Sequence, residues 1–170
     1  ADVTVDNTGS ISATAYAAFG HAIGIDAYGY YNASVNNDGA VSANDYGAGS
    51  TATGIDVLAS LGNASVTGAG TVDVYSVGDA TGIHATVYGD GYVYVASGAI
   101  TATSYTGVAY GVLATTDGAG TVGVYTSGDI TVSAYGEATG IYAHSYTGDV
   151  SVYSTGDISG IVIRRKDCQM

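Results

Sequence analysis

The chain has no proline, no tryptophan, one cysteine, and only 3 basic residues among 170. Each scarcity excludes something. Without proline, every residue keeps an amide proton to donate, which suits strands hydrogen-bonded along both edges. The single Cys168 gives no disulfide framework. Arg164, Arg165 and Lys166 are consecutive, so residues 1–163 carry no Lys or Arg at all. Nucleic acid is excluded as a partner on that ground, because binding needs cations that displace phosphate counterions. Anionic membrane surfaces are excluded in the same way. No apolar run reaches the roughly 18 residues of a spanning helix, so no membrane insertion is expected. A body without Lys or Arg also leaves a trypsin-like protease nothing to cut, which suits an extracellular setting.

Glycine (27), tyrosine (16) and acid (15 Asp and Glu) are abundant instead, and the net charge is −12. So much glycine, with apolar residues two apart throughout, leaves no helical stretch.

The apolar pairs fall into three columns. The first reads Val3/Val5, Ala33/Val35, Ala64/Val66, Val93/Val95, Val122/Val124 and Val150/Val152. The second reads Ile11/Ala13, Val41/Ala43, Val72/Val74, Ile100/Ala102, Ile130/Val132 and Ile158/Gly160. The third reads Ile25/Ala27, Ile55/Val57, Ile83/Ala85, Val112/Ala114 and Ile141/Ala143. Steps within a column stay between 28 and 31 residues. Residues two apart on a strand share a face, so each pair points to one side. Glycines precede the third-column strands (Gly24, Gly54, Gly82, Gly111, Gly140) and are expected to supply corner conformations with positive φ.

A period of roughly 20–50 residues marks a solenoid, propeller or array. A propeller blade needs four antiparallel strands, whereas three short strands fill each period of this chain. The sequence therefore predicts an all-β fold: a right-handed, single-stranded parallel β-helix with three parallel sheets. About six rungs of about 29 residues are expected, stacked at about 4.8 Å. Residues 1–160 form the expected repeat array. Residues 161–170 read as a non-repeat tail (a cap, a truncation scar or an expression remnant), although Ile161 and Ile163 can continue a strand. The chain opens in register without an initiator Met, and neither end shows a polar cap, which predicts a slice of a longer array.

Candidate sites are few. Asp26 and Asp56 share an outward position on adjacent rungs, where paired carboxylates can act as acid and base or hold a cation. The column continues His84, Leu113, Tyr142, and no basic residue accompanies it, so solvated charge is the expectation. Five Gly-Asp corners (at Asp79, Asp90, Asp129, Asp149 and Asp157) match turn chemistry, in which Asp bonds nearby amides. His21, His84 and His144 share no metal-ligand spacing. No catalytic residue, cofactor or metal is expected.

Tyrosine is the unusual abundance. Tyr16, Tyr46, Tyr105 and Tyr135 follow the second column at one spacing, Tyr30, Tyr88 and Tyr146 follow the third, and Tyr125 and Tyr153 follow the first. Stacked rings stabilise a solenoid, and the first two sets are also candidate surface-contact residues for a protein or glycan. Outward residues of the second column are rich in Ser and Thr. Asp73 and Tyr75 interrupt the flat Thr-x-Thr rank that ice binding would need.

Ala80-Thr81-Gly82-Ile83-His84-Ala85 and Ala138-Thr139-Gly140-Ile141-Tyr142-Ala143 resemble repeats of large bacterial autotransporter passenger domains, as does the segment Gly148 to Ser159. The resemblance covers about residues 1–160. It implies a right-handed β-helix stalk secreted through an outer-membrane barrel and located at the bacterial surface. It carries over no catalytic residue.

The expected function is therefore structural and adhesive: an extracellular stalk segment without catalysis. It would contact a host or bacterial surface protein or glycan, with end-to-end self-association at its open strand edges. The alternatives are a carbohydrate-active β-helix enzyme, or a self-assembling or ice-binding solenoid.

Overall fold

The computed structural model describes residues 1–159 and 161–165. Every regular element among them is a strand. The first coil is β1 (Val3–Asn7), β2 (Ser10–Ala15) and β3 (His21–Gly29), and the second is β4 (Ala33–Asn37), β5 (Ala40–Asp45) and β6 (Thr51–Ala59). The third is β7 (Ala64–Thr67), β8 (Thr71–Ser76) and β9 (Asp79–Val87), and the fourth is β10 (Val93–Ser97), β11 (Ile100–Ser104) and β12 (Ala109–Thr116). The fifth is β13 (Val122–Thr126), β14 (Ile130–Ala134) and β15 (Ala138–Ser145). β16 (Val150–Ser154) and β17 (Ile161–Arg165) follow.

Corresponding strands stack into three parallel sheets, β1-β4-β7-β10-β13-β16, β2-β5-β8-β11-β14 and β3-β6-β9-β12-β15-β17. The molecule is a parallel β-solenoid with three sheets. Val5, Val35, Val66, Val95, Val124 and Val152 pair rung on rung in one line, as the first column predicts. The Val, Ile and Ala columns of all three sheets meet in one apolar core, with Ile55, Ile83, Ile100, Ile130 and Ile141 its largest fully buried side chains.

The coil count differs from the expected six. Among the described residues five coils are complete, and the second column of the sixth shows a single bridge between Ile130 and Ile158. The Ser159 hydroxyl explains this locally, because it accepts the Val132 amide at 2.7 Å where a strand would offer a carbonyl. Within the expected tail, β17 lies in register on β15, with Ile161 beside Ile141 and Arg165 beside Ser145. Residues 166–170 of that tail lie outside the described residues.

The third-column glycines are also not corner residues. They sit inside β3, β6, β9, β12 and β15, and none has a positive φ. Close packing requires them. A Cβ at Gly82 would strike the Ile100 side chain and the Gly111 carbonyl oxygen. One at Gly54 would meet Val72 and the Gly82 oxygen, and one at Gly111 would meet Ile130 and the Gly140 oxygen. The burial alternation slips phase there, so that Gly54 and Ile55 are both buried in succession. The register skips the glycine pair and resumes on its far side, so one long strand turns inward twice.

The corners are lined by small polar side chains. Asn7 donates to Asn37 at 2.7 Å in the buried first corner. At the second corner Asp45, Ser76 and Ser104 each accept the amide of Gly47, Gly78 or Gly107 at 2.9–3.1 Å. Each such bond satisfies a turn amide that would otherwise be buried without a partner.

Candidate functional surfaces

Strand alternation sends the residues between core positions outward, so the chemistry-bearing side chains lie on three long faces. Tyr16 and Tyr46 stack with ring centroids 5.4 Å apart and an interplanar angle of 18°. The next residue in that column is Val77, which breaks the ladder. Tyr75, two residues earlier on β8, fills the gap by packing on Tyr46 at 5.3 Å. Tyr105 and Tyr135 hold the expected column, but no ring contact joins them among the described residues; Tyr135 is 88% exposed. Tyr30, Tyr88 and Tyr146 alternate with Ser60 and Asp117, so a rung without an aromatic separates each pair. At twice the rung spacing, about 9.6 Å, their rings do not stack. Tyr30 packs edge-on against Tyr31 at 5.1 Å instead. All seven predicted contact tyrosines are exposed.

On the third sheet Asp26 and Asp56 are register partners, as expected. Asp56 is not a free carboxylate, because its Oδ1 lies 3.0 Å from His84 Nδ1 on the next rung. His84 Nε2 is 2.9 Å from the Thr86 hydroxyl, and Thr86 is 3.0 Å from the Thr115 hydroxyl. A carboxylate only accepts, so the Nδ1–H of His84 donates to Asp56. In the neutral imidazole Nε2 then accepts from Thr86, which accepts from Thr115 in turn. The order carboxylate–imidazole–hydroxyl matches a nucleophile relay. Here Thr86 is only 7% exposed, and its hydroxyl is already bonded to Thr115. The geometry makes a cross-rung clamp over three coils.

His21 bonds Thr51, and His144 stacks on Tyr142. Among the described residues no group of three or more His, Cys, Asp or Glu is placed to hold a metal ion. Among the described residues no helix is long and apolar enough to cross a membrane.

A groove of about 440 Å³ opens beside the first sheet. Its floor is Gly68, Ala69, Ala96 and Ser97, and its walls include Tyr125, Tyr153, Ser127 and Thr155. Three local features make it. Val5 to Ile11 spans six residues, as do the corresponding pairs on other coils, but Val95 to Ile100 spans five, so the fourth coil has a short corner. Gly68, with φ +112°, has no side chain, and a Cβ there would collide with the Asn37 backbone. Ala96 stands where the next two coils carry Tyr125 and Tyr153. The Tyr125 ring crosses over Gly123 to pack on Tyr94 at 5.4 Å. Ser97, on the core-facing side of β10 with Val93 and Val95, is only 6% exposed, and its hydroxyl has no hydrogen-bond partner among the described residues. Neither Ser97 nor Tyr94 stands out from column position alone. The one-residue shortening before Ile100 is the sequence signal that marks the place.

Comparison with protein-family models, with curated proteins and with solved structures gives no match.

Proposed function

We propose that this chain is a segment of an extracellular adhesive stalk of the autotransporter-passenger kind, acting by surface contact rather than by turnover. The observation that carries the reading is the placement of the tyrosines. One continuous apolar core holds a rigid rod, and aromatic side chains stand exposed along its outer faces. Exposed aromatic stripes rimmed by polar groups suit contact with other surfaces. The passenger-like repeat motifs support the assignment, and the absence of Lys and Arg from residues 1–163 suits a protease-rich exterior. The binding of Asp56 by His84 supports contact over catalysis, since the most suggestive carboxylate is held in a structural bond.

Beads coated with the chain test this against cultured epithelial cells and against bacterial cells. Adhesion above that of an equally acidic control protein is expected. Replacing Tyr16, Tyr46, Tyr105 and Tyr135 together, or Tyr30, Tyr88 and Tyr146 together, by Ser is expected to reduce it. Adhesion no greater than the control, or unchanged by both replacements, overturns the reading.

A further inference from the structure

We propose that the groove beside the first sheet is a binding site for an uncharged oligosaccharide. The proposal deepens the contact-surface reading above and rests on it for the role of exposed tyrosines. Three independent features select this occupant.

Hydrogen-bond polarity is the first. Ser127 donates its hydroxyl proton to the Ser97 carbonyl at 3.2 Å, and Thr155 to the Ser127 carbonyl at 3.4 Å. Those protons are committed inside the protein, so the hydroxyl oxygens are left as acceptors. A ligand that satisfies them must be rich in O–H donors, as a sugar is.

Stacking is the second. Tyr125 and Tyr153 are register partners, 40% and 61% exposed, on adjacent rungs. Tyr125 is fixed by its contact with Tyr94, so its ring is oriented in advance. The two residues stand one rung, about 4.8 Å, apart along the axis, so an extended sugar chain lying along them can pack the C–H faces of its pyranose rings on both.

Charge is the third. Among the described residues no charged side chain lines the groove, and residues 1–163 contain no Lys or Arg, so sugar acids and sulfated glycans find no counter-charge. A volume of about 440 Å³ lies within the usual range for small-ligand sites.

The test is an NMR titration of the isotope-labelled full chain with cellohexaose, laminarihexaose and mannohexaose, with hexagalacturonate as the charged control. At least one neutral hexasaccharide is expected to shift the amides of Ala69, Ser97 and Tyr125 at millimolar concentration or below, while hexagalacturonate leaves them unmoved. Tyr125→Ala and Tyr153→Ala are each expected to weaken binding about three- to tenfold. Tyr16→Ala, on another face, leaves it unchanged. Failure of all three neutral sugars overturns the proposal, as does equal binding of hexagalacturonate. Shifts produced only by a neutral Ser/Gly-rich peptide overturn it in favour of a protein partner. Sugar binding that persists in the groove variants but is lost with Tyr16→Ala removes the groove and leaves the adhesive reading intact. Groove binding without bead adhesion removes the adhesive reading and leaves the groove.

Discussion

Adding one methyl group at Gly82 is expected to cost more than most changes to the surface of this molecule. The added Cβ would strike the Ile100 side chain and the Gly111 carbonyl oxygen at once. Overpacking a close-packed interior costs about 1–3 kcal/mol. The carbonyl belongs to the next coil's backbone, and moving it weakens at least one ladder hydrogen bond, worth about 1 kcal/mol. Against this, alanine orders with less loss of backbone entropy than glycine, a gain of about 0.5–1 kcal/mol. The net for Gly82→Ala is a destabilisation of about 1–3.5 kcal/mol by these terms. Gly9→Ala is the control, because a Cβ there meets nothing within 4 Å; it is expected to be neutral or slightly stabilising. Urea unfolding followed by tyrosine fluorescence reads the difference. With a slope of about 1–3 kcal/mol/M, the Gly82→Ala midpoint falls by roughly 1 M. Adding Ile100→Ala removes only the side-chain clash, so the double variant is not rescued. Equal midpoints for Gly82→Ala and wild type would refute the close-approach reasoning, as would equal loss in Gly9→Ala.

Four further outcomes are expected. Asp26→Asn stabilises by a few tenths of a kcal/mol at low salt by removing a like-charge neighbour, whereas Asp56→Ala destabilises by about 1 kcal/mol through loss of the His84 bond; thermal melts compare them. Gly49→Ala costs about 1–2 kcal/mol in chemical denaturation, because Gly49 has φ +67° and the Phe19 ring lies over it. Tyr46→Ala, which loses two ring contacts, costs about 1–3 kcal/mol, while Tyr135→Ala is neutral within about 0.5 kcal/mol in the same assay. Lowering the pH towards the isoelectric point of about 4.1 removes the repulsion of a −12 chain and promotes end-to-end association, more so on deleting residues 164–170; light scattering that stays monomeric in both chains contradicts this.

The sheets were legible because burial on a strand has period two and the columns repeat it on successive coils. Val35, Val66 and Val95 needed no more than that spacing to be placed in one line. Glycine misled because it serves two purposes that leave the same mark in a sequence. At Gly68 it supplies a left-handed turn, while at Gly54 and Gly82 it makes room for a neighbour. Only the packing distinguishes them. The tyrosine columns were legible as positions and not as contacts, since a ring reaches diagonally across rungs. Tyr75 meets Tyr46 and Tyr125 meets Tyr94 along diagonals that no column records. The clamp of Asp56 by His84 was similarly hidden, although both residues stood in one outward column, because a ladder of unlike side chains looks like drift.

The parallel stacking has a mechanical consequence. Every ladder hydrogen bond runs along the axis of the rod, so tension applied along that axis loads one coil at a time. Bonds loaded in series open like a zipper, at lower force than the same bonds sheared together. A coil of about 29 residues occupies about 4.8 Å of rod and extends to about 100 Å of chain when it peels away. Each coil lost therefore lengthens about twentyfold and adds about 95 Å to the tether while the remaining coils stay folded, so the tether absorbs a sudden pull by yielding in steps rather than by snapping.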